Sequence, residues 1–444
     1  MNTLSRRHFL KLASASAALA ATPSILRAQS ATSKAHIVVV GGGFGGATVA
    51  KYLRLWGGAN APKVTLVDAN LKHVSCILSN MVLDNTRSLS SITFGYDNLR
   101  TKYSVDFVQG KAISFDNVKK LLKLANGTTL AYDHLVLSPG IDFEPVLDTA
   151  TNKDLDFNTI PHAWQAGPQT TLLKQQLQQF MSSSSPGNVI ITAPLAPIRC
   201  PIGPYERACT VADMIKRRGK SGAKVILLDA NPGIMAEVNT FTMAFNKTFA
   251  GIIEYHKSEE VESVDSIHRI VRTKTGKTFQ ASVLNVIPPH RAGAIVRDNE
   301  LVPDLKSLNW GAPVDPLTYE SDVMLKRGIG GIHIIGDSQG TGLSKGGHVA
   351  NGEAKVCADA ILRMLNGEKP DPGPTVPAAC FNSVTSTTGS WLSTLFAYDP
   401  ATKSMIKVKA PDNPTGTFEA PAATGDNYER IFDWSANLFA DTFA

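Results

Sequence analysis

The chain has 444 residues, with 44 Lys and Arg against 38 Asp and Glu, a formal net charge of +6, and five cysteines. Such a length exceeds what one hydrophobic core holds, so two or three domains are expected. Arg6, Arg7, Lys11 and Arg27 fall in the first 28 residues with no acid among them; without them the chain is nearly neutral, which excludes a nucleic-acid binder working through a basic surface, and no run approaches the ~20 apolar residues of a membrane span.

In chain order, Ser5-Arg6-Arg7-His8-Phe9-Leu10-Lys11 matches the twin-arginine export pattern and is followed by a mildly apolar run from Leu12 to Ala21 and small residues near Ala28. Residues 1–28 read as a removable signal that carries a folded, cofactor-loaded protein to the periplasm. Next comes HIVVVGGGFGGATVAKYL: a buried parallel strand from Ile37 to Val40, then Gly41, Gly43 and Gly46 at the glycine positions of GxGxxG. The first makes the tight turn, the second admits a pyrophosphate, and the third lets helix and strand pack closely. A second strand from Lys63 ends in Asp68, the station of a carboxylate that bonds an adenosine ribose. Cys76, in the stretch Ser75-Cys76-Ile77-Leu78-Ser79-Asn80, follows where the chain of this fold turns toward the isoalloxazine of a flavin.

The strand Tyr132 to Ser138 ends at Pro139-Gly140, like the segment by which two-dinucleotide-domain flavoproteins leave their FAD domain. The strand Asn188 to Thr192, a helical pattern ending near Arg218 and the strand Lys224 to Asp229 then form a second mononucleotide-binding half. Its turn reads Arg199-Cys200-Pro201-Ile202-Gly203-Pro204-Tyr205-Glu206-Arg207. Prolines, an arginine and a cysteine stand where glycines would close on the pyrophosphate of NAD(P)H, so the half-domain is expected to be kept and its nucleotide site lost. Glu206 reads either as a proton relay or as a first-turn glutamate favouring the helix dipole. Gly330 to Asp337 resembles the C-terminal FAD motif, with Gly336 at the turn and Asp337 on a ribityl or pyrophosphate oxygen. The helix after Lys345 would aim its positive end at the flavin N1/O2 edge, and Lys345 itself is either a further charge there or a solvated loop lysine. After the stiff linker Lys369 to Pro374 the composition predicts an irregular segment, which carries Cys380.

The pattern gives an α/β fold of two Rossmann-like dinucleotide-binding domains, as in glutathione reductase, with an irregular C-terminal domain. The expected boundaries are 35–145 and 290–368 for the FAD domain, 146–289 for the NAD-domain relic and 369–444 for the remainder. The absence of CxxC and of Cys/His clusters argues against zinc or iron–sulfur, and the absence of CxxCH against a covalent haem on this chain. Cys209 and Cys357 lie in helical patterns and read as packing residues.

Through the stretches SCILSN, PHAWQAG (161–167), RCPIGPYERA (199–208), NVIPPHRAG (285–293), IHIIGD and the closing DTF, together with the glycine fingerprint, the chain resembles the flavoprotein subunit of flavocytochrome c sulfide dehydrogenase, a relative of the sulfide:quinone oxidoreductases. The resemblance implies FAD joined to Cys76 by a thioether, Cys200 and Cys380 as a redox disulfide, sulfide as substrate and a c-type cytochrome as partner. The chemistry is compatible: hydrosulfide attacks a disulfide to give a persulfide and a thiolate, and a flavin accepts two electrons and releases them singly. Two rivals remain: a quinone-reducing enzyme of the same superfamily, expected to carry an apolar or amphipathic C-terminal membrane segment, and a non-catalytic flavin-bearing sulfur carrier.

Overall fold

A computed structural model describes residues 35–444 apart from 185 and 308. The expected signal sequence, with its export destination, lies outside the described residues. The first glycine fingerprint stands at the centre of a five-stranded parallel sheet in the order Ile332–Ile334, His134–Leu137, His36–Val40, Lys63–Asp68, Asp106–Gln109. Ile37, Val38, Val39, Leu66, Leu135 and Val136 are fully buried, as strands covered on both faces must be. Each contributes on the order of 1.5–3 kcal/mol of apolar burial. The crossover helix Phe44–Gly57 packs against the long helix Gly347–Leu365.

The chain crosses between its two dinucleotide units twice, and both crossings run through one antiparallel pair, Ile141–Phe143 with His290–Ala292. The second unit is built on a four-stranded parallel sheet in the order Ile253–Lys257, Lys224–Asp229, Asn188–Ala193, Val283–Asn285. Its crossover helix Gly203–Arg218 has Pro204 in the first turn, Lys216 to Arg218 in the last and Gly219 at φ +62° beyond it, each a residue type suited to that station.

The C-terminal section departs from the irregular segment expected. Thr375–Ser383 pairs antiparallel with Gly389–Asp399, which also pairs with Ser404–Lys407 and Thr417–Glu419; the helix Gly425–Phe443 closes it. Its Thr, Ser, Pro and Gly content falls within and between well-paired strands, the longest being Gly389–Asp399, rather than marking a lack of structure. The helix lies on the FAD unit. Asp441 accepts from Tyr52, Asn351 and Lys355 at 2.5–2.8 Å, while Lys51 donates to the carbonyls of Ala440, Asp441 and Ala444. Phe443 stacks with Phe94 and His73. The closing DTF is thus a clamp on the helix that follows the glycine turn.

Candidate active site

The glycine turn has the form a dinucleotide requires. Gly41 sits at φ +97°, and a Cβ there would strike the Ser138 carbonyl oxygen at 2.2 Å; a Cβ on Gly46 would lie 1.8 Å from the Gly41 carbonyl oxygen. Asp68 reaches back to the turn, accepting from the Gly42 amide at 2.6 Å and the Asn70 amide at 2.7 Å. At the other end of the site, Gly336 (φ +72°) donates its amide to buried Glu353 at 2.6 Å. Ser338 ties Gly140 to Gly293 through its hydroxyl.

Three buried polar atoms from the turn to the cavity have no protein partner: Tyr96 Oη, His73 Nε2 and Asp337 Oδ1. His73 borders Gly43 and Tyr96 borders Gly42. Buried polar groups are nearly always paired, so this row of orphans, beginning at a glycine turn, fits an extended polar ligand of the FAD type. Lys345 is buried, not a solvated loop lysine. Its ammonium donates to the Asp337 and Gln339 carbonyls at 2.8 and 2.5 Å and lies 4.5 Å from the centre of the Trp310 ring, and burial draws its pKa down to about 8.

Beyond Asp337 opens a cavity of about 1100 Å³, counting its mouth, and it is lined by Cys76, Cys200 and Cys380 together. Three sulfurs from three parts of the chain therefore share one wall, each partly accessible and each a free thiol in this structure. Cys76 stands just before the turn at Leu78. Cys200 is held by the hydrogen bond from its amide to the Lys345 carbonyl at 2.8 Å. Cys380 sits opposite Leu392 in the C-terminal sheet. Burial pushes all three thiols up, Cys380 to about 12, while Arg199 works in the opposite direction on Cys76 and Cys200. Arg199 is the nearby cation: its guanidinium is 3.8 Å from Asp337 and bonds the Trp164 carbonyl, and its amide donates to His290 Nδ1 at 3.0 Å.

The cavity wall contains local strain. Cys200 (φ +56°), Leu78 (φ +66°) and Ala163 (φ +48°) are non-glycine residues in the left-handed region, at about 1–3 kcal/mol each. What holds them is Arg207, fully enclosed, whose guanidinium donates to Asn80 Oδ1, to the His162 and Ala163 carbonyls and to Asn285 Oδ1 at 2.8–2.9 Å, and stacks over Trp164 at 4.8 Å. Asn285 in turn donates to the Pro161 and His162 carbonyls. The segments 161–167, 199–208 and 285–293 are thus one hydrogen-bonded scaffold. Glu206, in the first turn of its helix, also faces the cavity: it accepts from Asn80 at 2.7 Å and from the Ser383 amide at 3.1 Å, and burial raises its pKa.

Sequence reasoning missed Arg207, Asn80, Trp164 and Trp434. An arginine in the first turns of a helix reads as solvated, and nothing local marks the tertiary partners that bury it. Trp434, from the last helix, lines the cavity with its indole nitrogen unpartnered. Among the described residues there is no group of His, Cys, Asp and Glu placed to hold a metal, and no helix long and apolar enough to cross a membrane.

In the second unit the acid at the end of the second strand, Asp229, is fully buried. It accepts from Tyr205 and Tyr255 at 2.8 Å each and from Asn231. A ribose has no oxygen left to bond. Gly203 is used for packing: a Cβ there would lie 2.5 Å from the Trp164 ring and 3.3 Å from Cys200 Sγ.

A family model described as the central part of the flavoprotein chain of flavocytochrome c sulfide dehydrogenase matches residues 170–288, and one for pyridine nucleotide-disulphide oxidoreductases matches residues 35–163. Among curated proteins, the mitochondrial sulfide:quinone oxidoreductase of Dictyostelium discoideum is 22% identical over 273 residues, 60% of this chain and 58% of that protein. Ferroptosis suppressor protein 1 of Taeniopygia guttata is 33% identical over 113 residues, 24% of this chain and 27% of its own length. The chain therefore matches less than two thirds of either relative. Among solved structures, the sulfide:quinone oxidoreductase of the hyperthermophilic bacterium Aquifex aeolicus superposes with a TM-score of 0.71 at 17% identity, covering 92% of both chains, a likeness of fold.

Proposed function

We propose that the chain is a sulfide:quinone-oxidoreductase-like flavoprotein of the flavocytochrome c sulfide dehydrogenase family, as the match of its central part supports, and that it is an exported dehydrogenase that oxidises sulfide or a related small sulfur species and passes the electrons to a c-type cytochrome. The observation that carries this reading is the meeting of Cys76, Cys200 and Cys380 at one cavity beside Asp337 and Lys345. FAD would be held by the turn Gly41, Gly43 and Gly46, by Asp68 at the ribose, by Gly140, Gly336 and Asp337 toward the cavity, and by Lys345. When bound, it supplies a two-electron acceptor that can release its electrons singly.

In this reading Cys76 carries the flavin through a thioether, and Cys200 and Cys380 form a disulfide when oxidised. Burial disfavours every thiolate in the cavity, so a resting pair of neutral sulfurs suits the site better than a nucleophilic thiolate. Hydrosulfide attacks one sulfur: a sulfur–sulfur bond forms, the Cys200–Cys380 bond breaks, and the released thiolate leaves beside Arg199. Glu206 is placed to take up or return a proton there. The haem partner would have an apolar landing surface, because Leu395, Ile406, Val408 and Phe418 are exposed together on one face of the C-terminal sheet.

The test is anaerobic reduction of the purified holoprotein by sulfide, followed by mixing with ferricytochrome c or with a soluble quinone analogue. Cytochrome reduction that depends on the flavoprotein supports the reading; turnover with the quinone alone replaces it with a quinone reductase. Acid precipitation should leave flavin on the protein, and Cys76→Ala should release it. Flavin retained by that variant would move the attachment elsewhere.

A further inference from the structure

Oxidising HS⁻ to zero-valent sulfur releases two electrons and one proton. A quinone carries protons away with the electrons; a haem does not, so with a haem acceptor the proton must leave the closed cavity by another route. The inference below rests on the function proposed above.

Behind the cavity wall at Ala236 and Leu392 lies Glu237, 3% exposed and itself left-handed at φ +51°. None of the cofactor or sulfur contacts described so far involves it. Its carboxyl lies beside the Ser390 hydroxyl and, with the amide of Asn382 turned to satisfy its neighbours, accepts from that side-chain nitrogen at 2.7 Å. Ser390 and Thr240 exchange a hydrogen bond at 3.1 Å, and the Thr240 hydroxyl donates to Glu419 Oε1 at 3.3 Å. Ser390 is fully buried and Thr240 is 6% exposed, whereas Glu419, on the strand Thr417–Glu419, reaches solvent. On the inner side, Asn382 is two residues from Cys380 on one strand, hence on the same face. The next residue, Ser383, bonds cavity-lining Glu206.

We propose that Glu237, Ser390, Thr240 and Glu419 form the exit by which the proton released in sulfide oxidation passes from the thiol cavity to solvent. Hydroxyls can turn, each accepting one bond while donating another, so the row can hand a proton along and reset. The titratable groups that face Glu237 are Glu206, Cys380 and Cys209 from the cavity side and Glu419 from the outside. Burial raises its pKa to about 8, against an opposing effect of Ser390 that is larger than the lesser upward contributions of Glu419 and Glu206. At neutral pH it is therefore protonated and accepts a new proton only after releasing its own outward. The exit becomes more available as pH rises toward that value. A buried carboxyl kept only for its hydrogen bonds would gain nothing over glutamine, and that is the discriminating substitution.

Steady-state reduction of ferricytochrome c by sulfide should be followed from about pH 6 to 9, in H₂O and D₂O, for the wild-type holoprotein, Glu237→Gln, Glu237→Asp and Thr240→Val. General acid–base groups typically contribute ~10²–10⁴-fold; for a relay residue removed from the reacting atoms, we expect kcat of Glu237→Gln to fall roughly ten-fold. The rise toward pH 8 should disappear and the solvent isotope effect should grow. Glu237→Asp should recover part of the rate, and Thr240→Val, which leaves the carboxyl in place, should slow turnover less. A Glu237→Gln protein that keeps its flavin and matches wild type at every pH and in D₂O overturns the proposal. Should that variant not fold, an unchanged profile in Thr240→Val overturns it equally. If the wild type itself does not reduce cytochrome with sulfide, the function proposed above fails first, and the exit with it.

Discussion

The two dinucleotide units share a strand–turn–helix–strand plan and differ in what fills the turn. In the first, glycines leave the turn open, Asp68 bonds only two nearby backbone amides, and the buried atoms around it lack partners. In the second, the turn brings Tyr205 onto Asp229 and Trp164 onto Gly203, so the site is packed solid. A nucleotide site can therefore be lost without disturbing the sheet, by supplying from inside the protein the hydrogen bonds and volume that the ligand would have supplied. The vacated turn is then free to carry a cysteine.

The sharpest way to break this comparison is to attack the cysteine. Cys200→Ser or Cys380→Ser should slow reduction of the flavin by sulfide by at least ~10³-fold while FAD stays bound, because the glycine turn and Asp68 lie elsewhere. Stopped-flow bleaching of the flavin at wild-type rate in either variant would detach the sulfur chemistry from the second unit. Next in size, NADH and NADPH should reduce the flavin orders of magnitude more slowly than sulfide does. Fast reduction by either would mean that the packed turn opens. Third, Arg207→Met removes the cation that holds Asn80, Asn285 and two carbonyls, and should lower stability by about 3–5 kcal/mol, measured by urea unfolding. Gly203→Ala forces a methyl into the Trp164 ring and should lower stability by about 1–3 kcal/mol, whereas alanine at Gly233, where a Cβ meets nothing, should be near neutral.

The last effect concerns Glu237 and has a definite sign. Its pKa is raised in the folded state above the ordinary carboxyl value, so the folded protein favours the protonated form. That stability is fully present below about pH 4.5 and is lost as pH rises toward 8. Glu237→Gln, which cannot ionise, should therefore melt higher than wild type near pH 9 and close to it near pH 5. A difference independent of pH would mean that burial does not raise this carboxyl.

The first unit could be read from its sequence because its function lies in local geometry: glycines at fixed spacing and an acid at the end of the next strand. Cys200 was conspicuous for the same reason, occupying a turn where glycines belong. Arg207, Trp164, Trp434 and Glu237 were not, because each acts through contacts more than 30 residues away in the chain, and local periodicity carries no trace of them. Lys345 was ambiguous between charge and loop until Trp310 and two carbonyls were seen to enclose it. The C-terminal sheet was missed because its strands Thr375–Ser383 and Gly389–Asp399, interrupted by Thr, Ser and Pro, lack the clean alternation that identifies a half-buried strand.

The cavity takes one sulfur from the FAD unit, one from the second unit and one from the C-terminal sheet. No single unit, folded alone, contains a working pair. On the reading proposed above, a chain whose second unit and C-terminal sheet have not yet docked would hold isolated thiols in place of the sulfur pair. Distributing the sulfurs in this way makes the appearance of activity a report on assembly. On that reading, a molecule whose parts have not met would have no sulfur pair with which to consume or release reactive sulfur.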